Sequence, residues 1–384
     1  MKQKKSLRLT AMRQLSIGIS IGIALIAVLA ITAIASSTTL PDTQLEQGYT
    51  KESLEASSLT APYSPAGPVT LTWTTVVTFF DPRTNSGVEG SAANVIGDKL
   101  YVSHGFRDVD SNLFSFYDIL SDTWTHGGPD APDATVPRSE LGGGTVNGKH
   151  YAVGGRTGPS ADVEVFDPAT SSWMTATSMS LARGGLGVAS WGGKIYAIGG
   201  RGGNTFGEAP IYTKTEVYSP ASNNWTTLAP MPIPVSDNYA TVAMGGKIYV
   251  FGGATDPSTV ISATQIYDIR RDSWSLGAPM PTARAAGMVG TICGDTIAVF
   301  GGYDPLGIGN LDVTELYSPH DDSWSTGPNM QVAASEIGQG VTTYKDRTIF
   351  SVGSGIFGLS GSVVQRLDAE CRYDLYLPIL FKNP

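Results

Sequence analysis

Residues 194–200 read KIYAIGG, and this pattern of a short apolar segment followed by glycines occurs six times in the 384-residue chain. The other five copies are KLYVSHG (99–105), KHYAVGG (149–155), KIYVFGG (247–253), TIAVFGG (296–302) and TIFSVGS (348–354). A turn dipeptide such as Asn147-Gly148 precedes several copies, and a turn between two apolar runs is typical of a β-hairpin. The six copies therefore predict six hairpins spread along the chain.

Two further features recur in a fixed order. A third strand-like segment ends in Tyr-Asp-Pro or a similar sequence: SFYDI (115–119), EVFDP (164–168), EVYSP (216–220), QIYDI (265–269) and ELYSP (315–319). Tryptophan recurs with a period near 50 residues, at positions 73, 124, 173, 225, 274 and 324, and Trp191 alone falls outside the series. A unit of four short antiparallel strands cannot bury both of its faces alone, so the pattern predicts radial stacking of such units.

These residues resemble the kelch repeat, which combines the doublet glycines, the Tyr-Asp-Pro-like strand end and the tryptophan. The resemblance covers roughly residues 70–370 and departs from the pattern at His104-Gly105 and Gly353-Ser354. It implies an all-β fold over residues 69–370, a six-bladed β-propeller of four-stranded kelch repeats. The strand near Trp73 is expected to complete the last blade and to close the ring, because closure removes an exposed sheet edge.

The chain outside the repeats divides into three segments. Residues 1–35 place five cations before an uncharged apolar run, which is the layout of a cleaved signal peptide or of an uncleaved signal anchor. Residues 36–68 are rich in Ser, Thr and Pro and are predicted to be a flexible linker, and residues 371–384 are an apolar C-terminal tail. We expect an exported bacterial kelch protein, secreted or on the cell surface, that contacts a membrane only through an uncleaved N-terminal segment.

The charge distribution argues against nucleic acid as a partner. The chain has 25 basic and 34 acidic side chains, and five of the bases lie in the first 35 residues, which leaves 20 bases against 34 acids in the rest. A body with this excess of acids repels phosphates, and its net charge mainly favours solubility.

No constellation typical of an enzyme is recognised. The four histidines, at positions 104, 126, 150 and 320, lack metal-ligand spacing, and the phosphate-loop, zinc-protease and nucleophile-elbow motifs do not occur. The copper radical oxidases among kelch propellers use a Tyr–Cys cross-link with clustered His and Tyr ligands, which this chain does not match. The sequence therefore predicts no cofactor, no metal site and no catalytic residue.

Two cysteines, Cys293 and Cys371, fit neither a metal-binding nor a redox motif. In an oxidising compartment they are expected to form one disulfide, and the alternative is two free thiols. A disulfide would attach the C-terminal tail to the propeller face opposite the recurring arginines.

Arginines recur at two positions of the repeat. Four precede the first strand of a unit and three follow the second strand, namely Arg83, Arg138, Arg183 and Arg284, and then Arg107, Arg156 and Arg201. The kelch resemblance implies that both sets of loops open on one face around the central channel. In kelch ubiquitin-ligase adaptors such arginines grip carboxylates, a role that suits the planar fork of the guanidinium. The alternative is that they form ion pairs with loop acids such as Asp108, Asp304 or Glu336.

Three functions remain open at this stage. The leading hypothesis is a binding module whose Arg-lined loop face holds an unidentified protein or an anionic carbohydrate. The second is a sugar-modifying enzyme of the sialic acid mutarotase type, with Glu208 or Glu336 as the candidate acid/base group. The third is a structural surface protein that only presents its loops, because a propeller fold does not determine function.

Overall fold

The computed structural model describes residues 70–79, 82–83, 90–107, 109–156, 158–306, 309–335, 341–353 and 362–371. The expected signal segment (1–35), the linker (36–68) and the tail beyond Cys371 lie outside these residues. Every regular element in the described part is a β-strand, and none of its segments is a helix that could span a membrane.

The strands form six antiparallel sheets of four strands and two short hairpins. Blade 1 is β2 (Ala92–Ile96), β3 (Lys99–Arg107), β4 (Val109–Asp118) and β5 (Thr123–His126), and blade 2 is β6 (Gly142–Val146), β7 (Lys149–Val153), β8 (Val163–Asp167) and β9 (Ser172–Ala176). Blade 3 is β10 (Gly187–Trp191), β11 (Lys194–Ile198), β12 (Thr215–Ser219) and β13 (Asn224–Thr227), and blade 4 is β14 (Thr241–Met244), β15 (Lys247–Phe251), β18 (Thr264–Asp268) and β19 (Ser273–Gly277). Blade 5 is β20 (Met288–Ile292), β21 (Thr296–Phe300), β24 (Thr314–Ser318) and β25 (Ser323–Thr326), and blade 6 is β26 (Val341–Tyr344), β27 (Thr348–Gly353), β28 (Ser362–Glu370) and β1 (Thr70–Phe79). The hairpins are β16 (Ala254–Asp256) with β17 (Thr259–Val260), and β22 (Tyr303–Asp304) with β23 (Gly309–Asn310).

The six sheets are arranged radially about a central channel. The first strand of each blade contacts the first strands of both neighbouring blades, in the cyclic order β2, β6, β10, β14, β20, β26 and back to β2. The predicted six-bladed propeller is therefore confirmed. We call the side with the loops between second and third strands, and between successive blades, the upper face. The side with the tight turns is the lower face.

Blade 6 combines strands from the two ends of the repeat region. Strand β1 pairs with β28 along its whole length, with Trp73 opposite Leu367. The side-chain amide of Gln331, from the segment that leaves blade 5, accepts a hydrogen bond from the Thr75 N–H at 3.0 Å and donates one to the Trp73 carbonyl at 2.9 Å. The outer edge of β1 is thus partly covered by its neighbouring blade.

Tryptophan joins neighbouring blades through what we call the indole clamp. In five blades the indole N–H donates to a carbonyl just after the fourth strand of the preceding blade, at 2.8–3.1 Å. The pairs are Trp173 with Pro132, Trp225 with Thr177, Trp274 with Ala229, Trp324 with Ala278, and Trp73 with Pro328. In blades 2 to 5 the indole also packs on an aromatic ring of its own blade, as Trp274 does on Tyr267 with the ring centroids 5.2 Å apart. The Trp73 ring meets Phe300 of the preceding blade.

A turn residue completes the clamps of blades 3, 4 and 5. Asp272, at a φ of 47° between the third and fourth strands of blade 4, accepts the Ala229 N–H at 2.8 Å and the Tyr267 hydroxyl at 2.7 Å. Asn223 and Asp322 make the same pair of bonds in blades 3 and 5. One side chain therefore ties the turn to its own blade and to the preceding blade.

The doublet glycines mark places where the second strand meets the next blade. Gly252 has a φ of 67°, and a Cβ there would overlap the Arg284 carbonyl of the following loop. Blade 1 is the exception, since His104 takes the first doublet position with a φ of 62°. Its imidazole makes hydrogen bonds to Glu164 in blade 2, which offset the unfavourable backbone conformation.

Cys293 and Cys371 are joined by a disulfide, with their Cα atoms 5.4 Å apart. Cys293 lies in the turn between β20 and β21, on the lower face of blade 5, and Cys371 directly follows β28 of blade 6. The bond therefore connects the last blade covalently to its neighbour, on the face opposite the loops that carry the arginines.

We predict that replacing a clamp tryptophan by phenylalanine removes one inter-blade hydrogen bond while keeping most of the apolar contact. Trp274→Phe should lower the free energy of unfolding by about 1–2 kcal/mol, because the partly buried Ala229 carbonyl loses its donor. Trp191→Phe is the matched control and should change it by less than about 0.5 kcal/mol. Urea unfolding followed by circular dichroism checks this, and equal losses for the two variants would contradict the clamp.

We also predict that the disulfide stabilises the full-length chain. It closes a loop across a sequence separation of 78 residues. The double variant Cys293→Ser/Cys371→Ser should therefore lose up to about 4 kcal/mol of unfolding free energy. A reductant should destabilise the wild type and leave the double variant unchanged, and the absence of any difference between reduced and oxidised wild type would refute the prediction.

Candidate functional site

Three of the predicted ligand-binding arginines are interior residues. Arg138, Arg183 and Arg284 have no exposed surface, and each lies 2.7 Å from a glutamate on the third strand of its own blade: Glu164, Glu216 and Glu315. Each guanidinium also donates to strand-end carbonyls, as Arg284 does to Gly301 at 2.7 Å. The expectation that these three guanidiniums face a ligand is corrected, because they are buried and their terminal Nη1 and Nη2 donors are used inside the blades.

A comparison of the repeats shows that the arginine and the glutamate occur together. Blade 4 has Val235 at the arginine position and Gln265 at the glutamate position, and blade 6 has Ala334 with Gln365. The carboxylate is therefore present only where the described chain supplies a guanidinium. The two glutamines instead bond the backbone of the segment that enters from the preceding blade, as Gln265 does with the Ile233 N–H at 2.8 Å and the Ile233 carbonyl at 3.1 Å. A buried carboxylate without a cation would be costly, which explains the exchange.

Two further predicted arginines lie at the edge of blade 1. The Arg83 side chain is 28 % exposed, with 2.8 Å between its Nη1 and Asp133 Oδ1, and it donates to the Phe114 carbonyl at 3.2 Å. Arg107 is the last residue of β3, and its side chain lies outside what the structure describes.

Backbone hydrogen bonds link the segments that enter blades 1 to 5 at the upper mouth of the channel, and we call this set the mouth ring. The N–H of Glu140 donates to the carbonyl of Gly90, Gly185 to Glu140, Asp237 to Gly185, and Ala286 to Asp237, at 2.7–3.0 Å. All five residues have φ between 51° and 68° and precede the first strands of blades 1 to 5. This mouth ring places the side chains of Glu140 and Asp237 on either side of Gly185.

Arg201 occupies the space above Gly185 and joins those two acids. Its guanidinium makes ion pairs with both Glu140 and Asp237, and it is buried. Burial alone would lower the pKa of Arg201, but the two carboxylates outweigh it and raise that pKa above its ordinary value. A side chain in place of Gly185 would overlap the guanidinium, so the glycine is required for this arrangement. Arg201 is thus an internal part of the mouth and is not presented to a ligand.

Among the predicted arginines whose side chains the structure describes, Arg156 joins the mouth with a side chain that is 25 % exposed. Its Nη1 lies 3.2 Å from Glu140 Oε1, and its Nη2 lies 3.8 Å from Asp110 Oδ1. The guanidinium carbon is 5.0 Å from the centre of the Phe106 ring, which fixes its orientation further. Burial raises the pKa of Glu140 to about 7, although the two guanidiniums oppose the shift.

The loop between β11 and β12, residues 199–214, extends over the mouth. Its tip contacts three other blades: the Arg156 guanidinium donates to the Asn204 carbonyl at 3.5 Å, the Gly207 N–H donates to Asp237 Oδ2 at 3.2 Å, and the Phe206 ring meets the Tyr303 ring edge-on at 5.6 Å. We call residues 203–209 the cover tip. Glu208, a candidate acid/base group, uses its carboxylate to cap this tip by accepting three bonds from Asn204 and Thr205 at 2.9 Å. The other candidate, Glu336, lies outside the described residues.

The channel below the mouth is a cavity of about 270 Å³. Residues from all six first strands line it, and all are uncharged: Asn94, Val95, Gly143, Gly144, Thr145, Val188, Ala189, Ser190, Thr241, Val242, Ala243, Val289, Gly290 and Thr343. The described residues contain no group of three or more His, Cys, Asp or Glu side chains that could hold a metal ion.

A buried chain of hydrogen bonds leads from this channel into the interface of blades 1 and 2. Asn94 Nδ2 lies 2.7 Å from His150 Nδ1, His150 Nε2 lies 2.8 Å from Ser103 Oγ, Ser103 Oγ lies 2.9 Å from His104 Nδ1, and His104 Nε2 lies 3.0 Å from Glu164 Oε2. When both imidazoles are neutral, every hydrogen bond of this chain can form with the donors directed from Asn94 toward Glu164. Burial lowers the pKa of His104 to about 4 and of His150 to about 3, which keeps them neutral near pH 7. The sequence analysis missed this relay because its members lie far apart in the chain.

Comparison with known proteins agrees with this architecture. The family model described as Kelch motif matches residues 137–180, 182–232, 237–281 and 284–331. Kelch-like protein 25 of Rattus norvegicus is 34 % identical over 140 residues, which are 34 % of this chain and 23 % of that protein. Kelch-like protein terF of Aspergillus terreus is 30 % identical over 219 residues, 53 % of this chain and 45 % of that protein. The chain thus spans less than half the length of these relatives. The solved structure titled "Structure of YjhT" has a TM-score of 0.61 and 16 % identity, covers 76 % of this chain and 99 % of its own, and shows likeness of fold alone.

The two buried imidazoles predict a loss of stability in acid. A histidine whose folded pKa is below the unfolded value of 6.5 is stabilising above pH 6.5 and loses that contribution as the pH falls toward its folded pKa. Each such histidine should contribute a slope of about 1.4 kcal/mol per pH unit in this range. The raised pKa of Glu140 acts in the opposite direction, so the test compares slopes between variants and not the wild-type curve alone.

Unfolding free energies measured between pH 4.5 and pH 7 provide the check. His150→Gln should reduce the slope by about 1.4 kcal/mol per pH unit, since glutamine does not titrate. His320→Gln should leave it unchanged, because the His320 side chain is 93 % exposed. An unchanged slope in His150→Gln would show that the imidazole is not held neutral.

Proposed function

The chain belongs to the kelch-repeat family, and from this premise we propose that it is a binding module that holds an anionic segment of a protein or carbohydrate on its upper face. Loops carried by a rigid scaffold are the usual location of binding residues, and this face has the longest described connections between strands. Its scaffold is fixed by the mouth ring and by the buried Arg–Glu pairs, so the loops have a constant spacing. The function depends on the site and not on the fold, which hosts many activities.

The observation that carries the proposal is the position of Arg156. Its side chain is partly exposed at the mouth, and its guanidinium lies over the Phe106 ring and is held by the Asp110 and Glu140 side chains. A carboxylate of a partner can approach this guanidinium at the mouth, beside the carboxylates that hold it. Burial raises the pKa of Glu140, which favours its neutral form and reduces the repulsion of an incoming anion. The pre-oriented fork then offers two parallel hydrogen bonds to the incoming anion.

The proposed site contains fewer cations than the ring of seven guanidiniums expected from the sequence. The described mouth holds two cations, Arg156 and Arg201, against three carboxylates, those of Asp110, Glu140 and Asp237. Such a site has no large excess of positive charge, so it recognises one carboxylate or similar group at a defined place. We therefore expect selectivity for geometry and only moderate dependence on salt.

An extracytoplasmic location is part of the proposal. Its support is the basic flank and apolar run in residues 1–35, together with the Cys293–Cys371 disulfide, since such bonds persist mainly in oxidising compartments. Fractionation of cells that express the full-length chain tests it, and retention of an unmodified N-terminus in the cytoplasm would contradict it.

A second candidate function, a sugar-modifying enzyme of the mutarotase type, has one observation in its favour. Glu140 combines a pKa of about 7 with a position 3.2 Å from Arg156, so it could exchange a proton with an acidic sugar held by that arginine. Catalysed anomer exchange of a free acidic sugar, lost in Glu140→Gln, would favour the enzyme. Binding without exchange would favour the module.

Arg156→Ala tests the binding proposal. Acidic and neutral members of a peptide and glycan array should be probed with the wild type and the variant. A lost charge-assisted bond is worth about 1.5–3 kcal/mol, so affinity for acidic members should fall roughly ten- to hundredfold. Arg271→Ala is the control, since the Arg271 side chain is 76 % exposed in a turn of the lower face. Equal binding by wild type and Arg156→Ala would overturn the proposed site, and no binding to any member would favour a structural surface protein.

A further inference from the structure

A groove between blades 2 and 3 opens on the lower face of the propeller. It holds a cavity of about 370 Å³, which is within the usual size range of small-molecule pockets. Blade 2 contributes Lys149, Tyr151 and Met174 to its wall. The turn between the third and fourth strands of blade 3 contributes Ala221 and Asn223. The chain departs from its own repeat pattern at two places in this groove.

Met174 is the first departure. It directly follows the tryptophan of its unit, lies on the outer strand of blade 2, and is 46 % exposed. The five equivalent positions all hold serine or threonine: Thr74, Thr125, Thr226, Ser275 and Ser325. Hydroxyl side chains suit an outer strand that faces water, so the repeat itself does not require a methionine here. Methionine is flexible and polarisable, and it gives the cavity an adaptable apolar wall.

The turn of blade 3 is the second departure. Residues 219–224 read SPASNN and contain no acid, whereas the equivalent turns of blades 1, 2, 4 and 5 each contain at least one aspartate. Ala221 stands at the position of Arg270 in blade 4 and of His320 in blade 5. The small side chain leaves the groove open at this joint, and the missing acids leave it without negative charge on the side of blade 3.

Asn223 changes the polarity of the groove without loosening the joint. Its Oδ1 accepts the Thr177 N–H at 3.0 Å and the Tyr218 hydroxyl at 2.7 Å. Asp272 and Asp322 accept the equivalent pair of bonds in blades 4 and 5. An aspartate offers only acceptors, but the Nδ2 of Asn223 adds N–H donors beside the cavity. The replacement therefore turns an acidic wall into a donating one.

Two more donors line the same cavity. The ammonium of Lys149 lies 2.9 Å from Asp167 Oδ2 and has further N–H groups for another acceptor, and the lysine side chain is 32 % exposed. Tyr151 is buried, and burial raises the pKa of its hydroxyl to about 12, so the hydroxyl keeps its proton. The described residues that line the cavity include no carboxylate. A cation, an amide and a hydroxyl thus surround a largely apolar space, which favours an anionic group on an apolar ligand.

We propose that this groove is a binding site for a small monocarboxylic acid with an aromatic or branched apolar body. The carboxylate accepts hydrogen bonds from Lys149 and Asn223, and the apolar body packs against Tyr151 and Met174. After residue 35 the chain has 20 bases against 34 acids, so a groove whose wall has donors and no acid is a favourable place for an organic anion. The site is on the opposite face from Arg156 and does not depend on the proposed function.

The test is a calorimetric titration of the full-length chain with benzoate, phenylacetate and isovalerate, each compared with its neutral amide. At least one acid should bind with a dissociation constant of about 1 mM or below, and at least about tenfold more tightly than its amide. Asn223→Asp should weaken binding of that acid by at least about tenfold, because it returns a carboxylate to the groove. The urea midpoint of this variant should stay at the wild-type value, since Asp272 and Asp322 make the same bonds in blades 4 and 5.

Three further variants separate this result from other causes. Lys149→Gln should weaken binding of the acid by at least about fivefold. Lys194→Gln, at the same position of blade 3 and outside the cavity wall, should bind the acid as the wild type does. Arg156→Ala should also bind it as the wild type does, so a failure of the upper-face proposal leaves this one intact. The proposal is overturned when none of the three acids binds, when Asn223→Asp binds the acid as tightly as the wild type, or when Lys149→Gln and Lys194→Gln lose equal affinity.

Discussion

The hydrogen bond from a tryptophan indole to the backbone of the preceding blade is the interaction on which the rest of the molecule depends. A four-stranded sheet has two apolar faces, and only a regular ring buries both. In blades 3, 4 and 5 the clamp repeats with an indole, a turn Asn or Asp and a tyrosine hydroxyl, as at Trp274, Asp272 and Tyr267. The indole bond is described at five joints, and this repetition allows six sheets to complete a circle around a channel.

The buried Arg–Glu pairs involve the same connecting segments, a few residues beyond the carbonyls that accept the indole bonds. Arg183 and Glu216 have almost no exposed surface, and the glutamate also accepts a bond from Ser180 in the segment arriving from blade 2. Removing two charges from water is costly, and the cost is offset only because nearly every donor and acceptor finds a partner. These pairs therefore fix where the loops begin, and they leave the recognition of a ligand to the few groups outside them, Arg156 above all.

The strand order, the repeat period and the structural role of the tryptophans could be predicted from the sequence, because each depends on residues close together within one unit. The burial of the arginines in ion pairs could not be predicted, since the arginine of a unit and its glutamate lie about 30 residues apart. The replacement of this arginine and glutamate by Val235 and Gln265 in blade 4 was nevertheless visible in the sequence. The role of Gly185 and the relay through His104 depend on contacts between blades. Such contacts have no local pattern, and only the assembled ring brings the residues together.

The most direct measurement is hydrogen exchange of the indole N–H groups, followed by nuclear magnetic resonance on the full-length chain. The five clamp indoles, at Trp73, Trp173, Trp225, Trp274 and Trp324, should exchange slowly, because their release requires neighbouring blades to separate. The Trp191 indole should exchange rapidly in the free protein. Slow exchange at Trp191, or rapid exchange at the clamp positions, would contradict the assignment of these five tryptophans to the joints between blades.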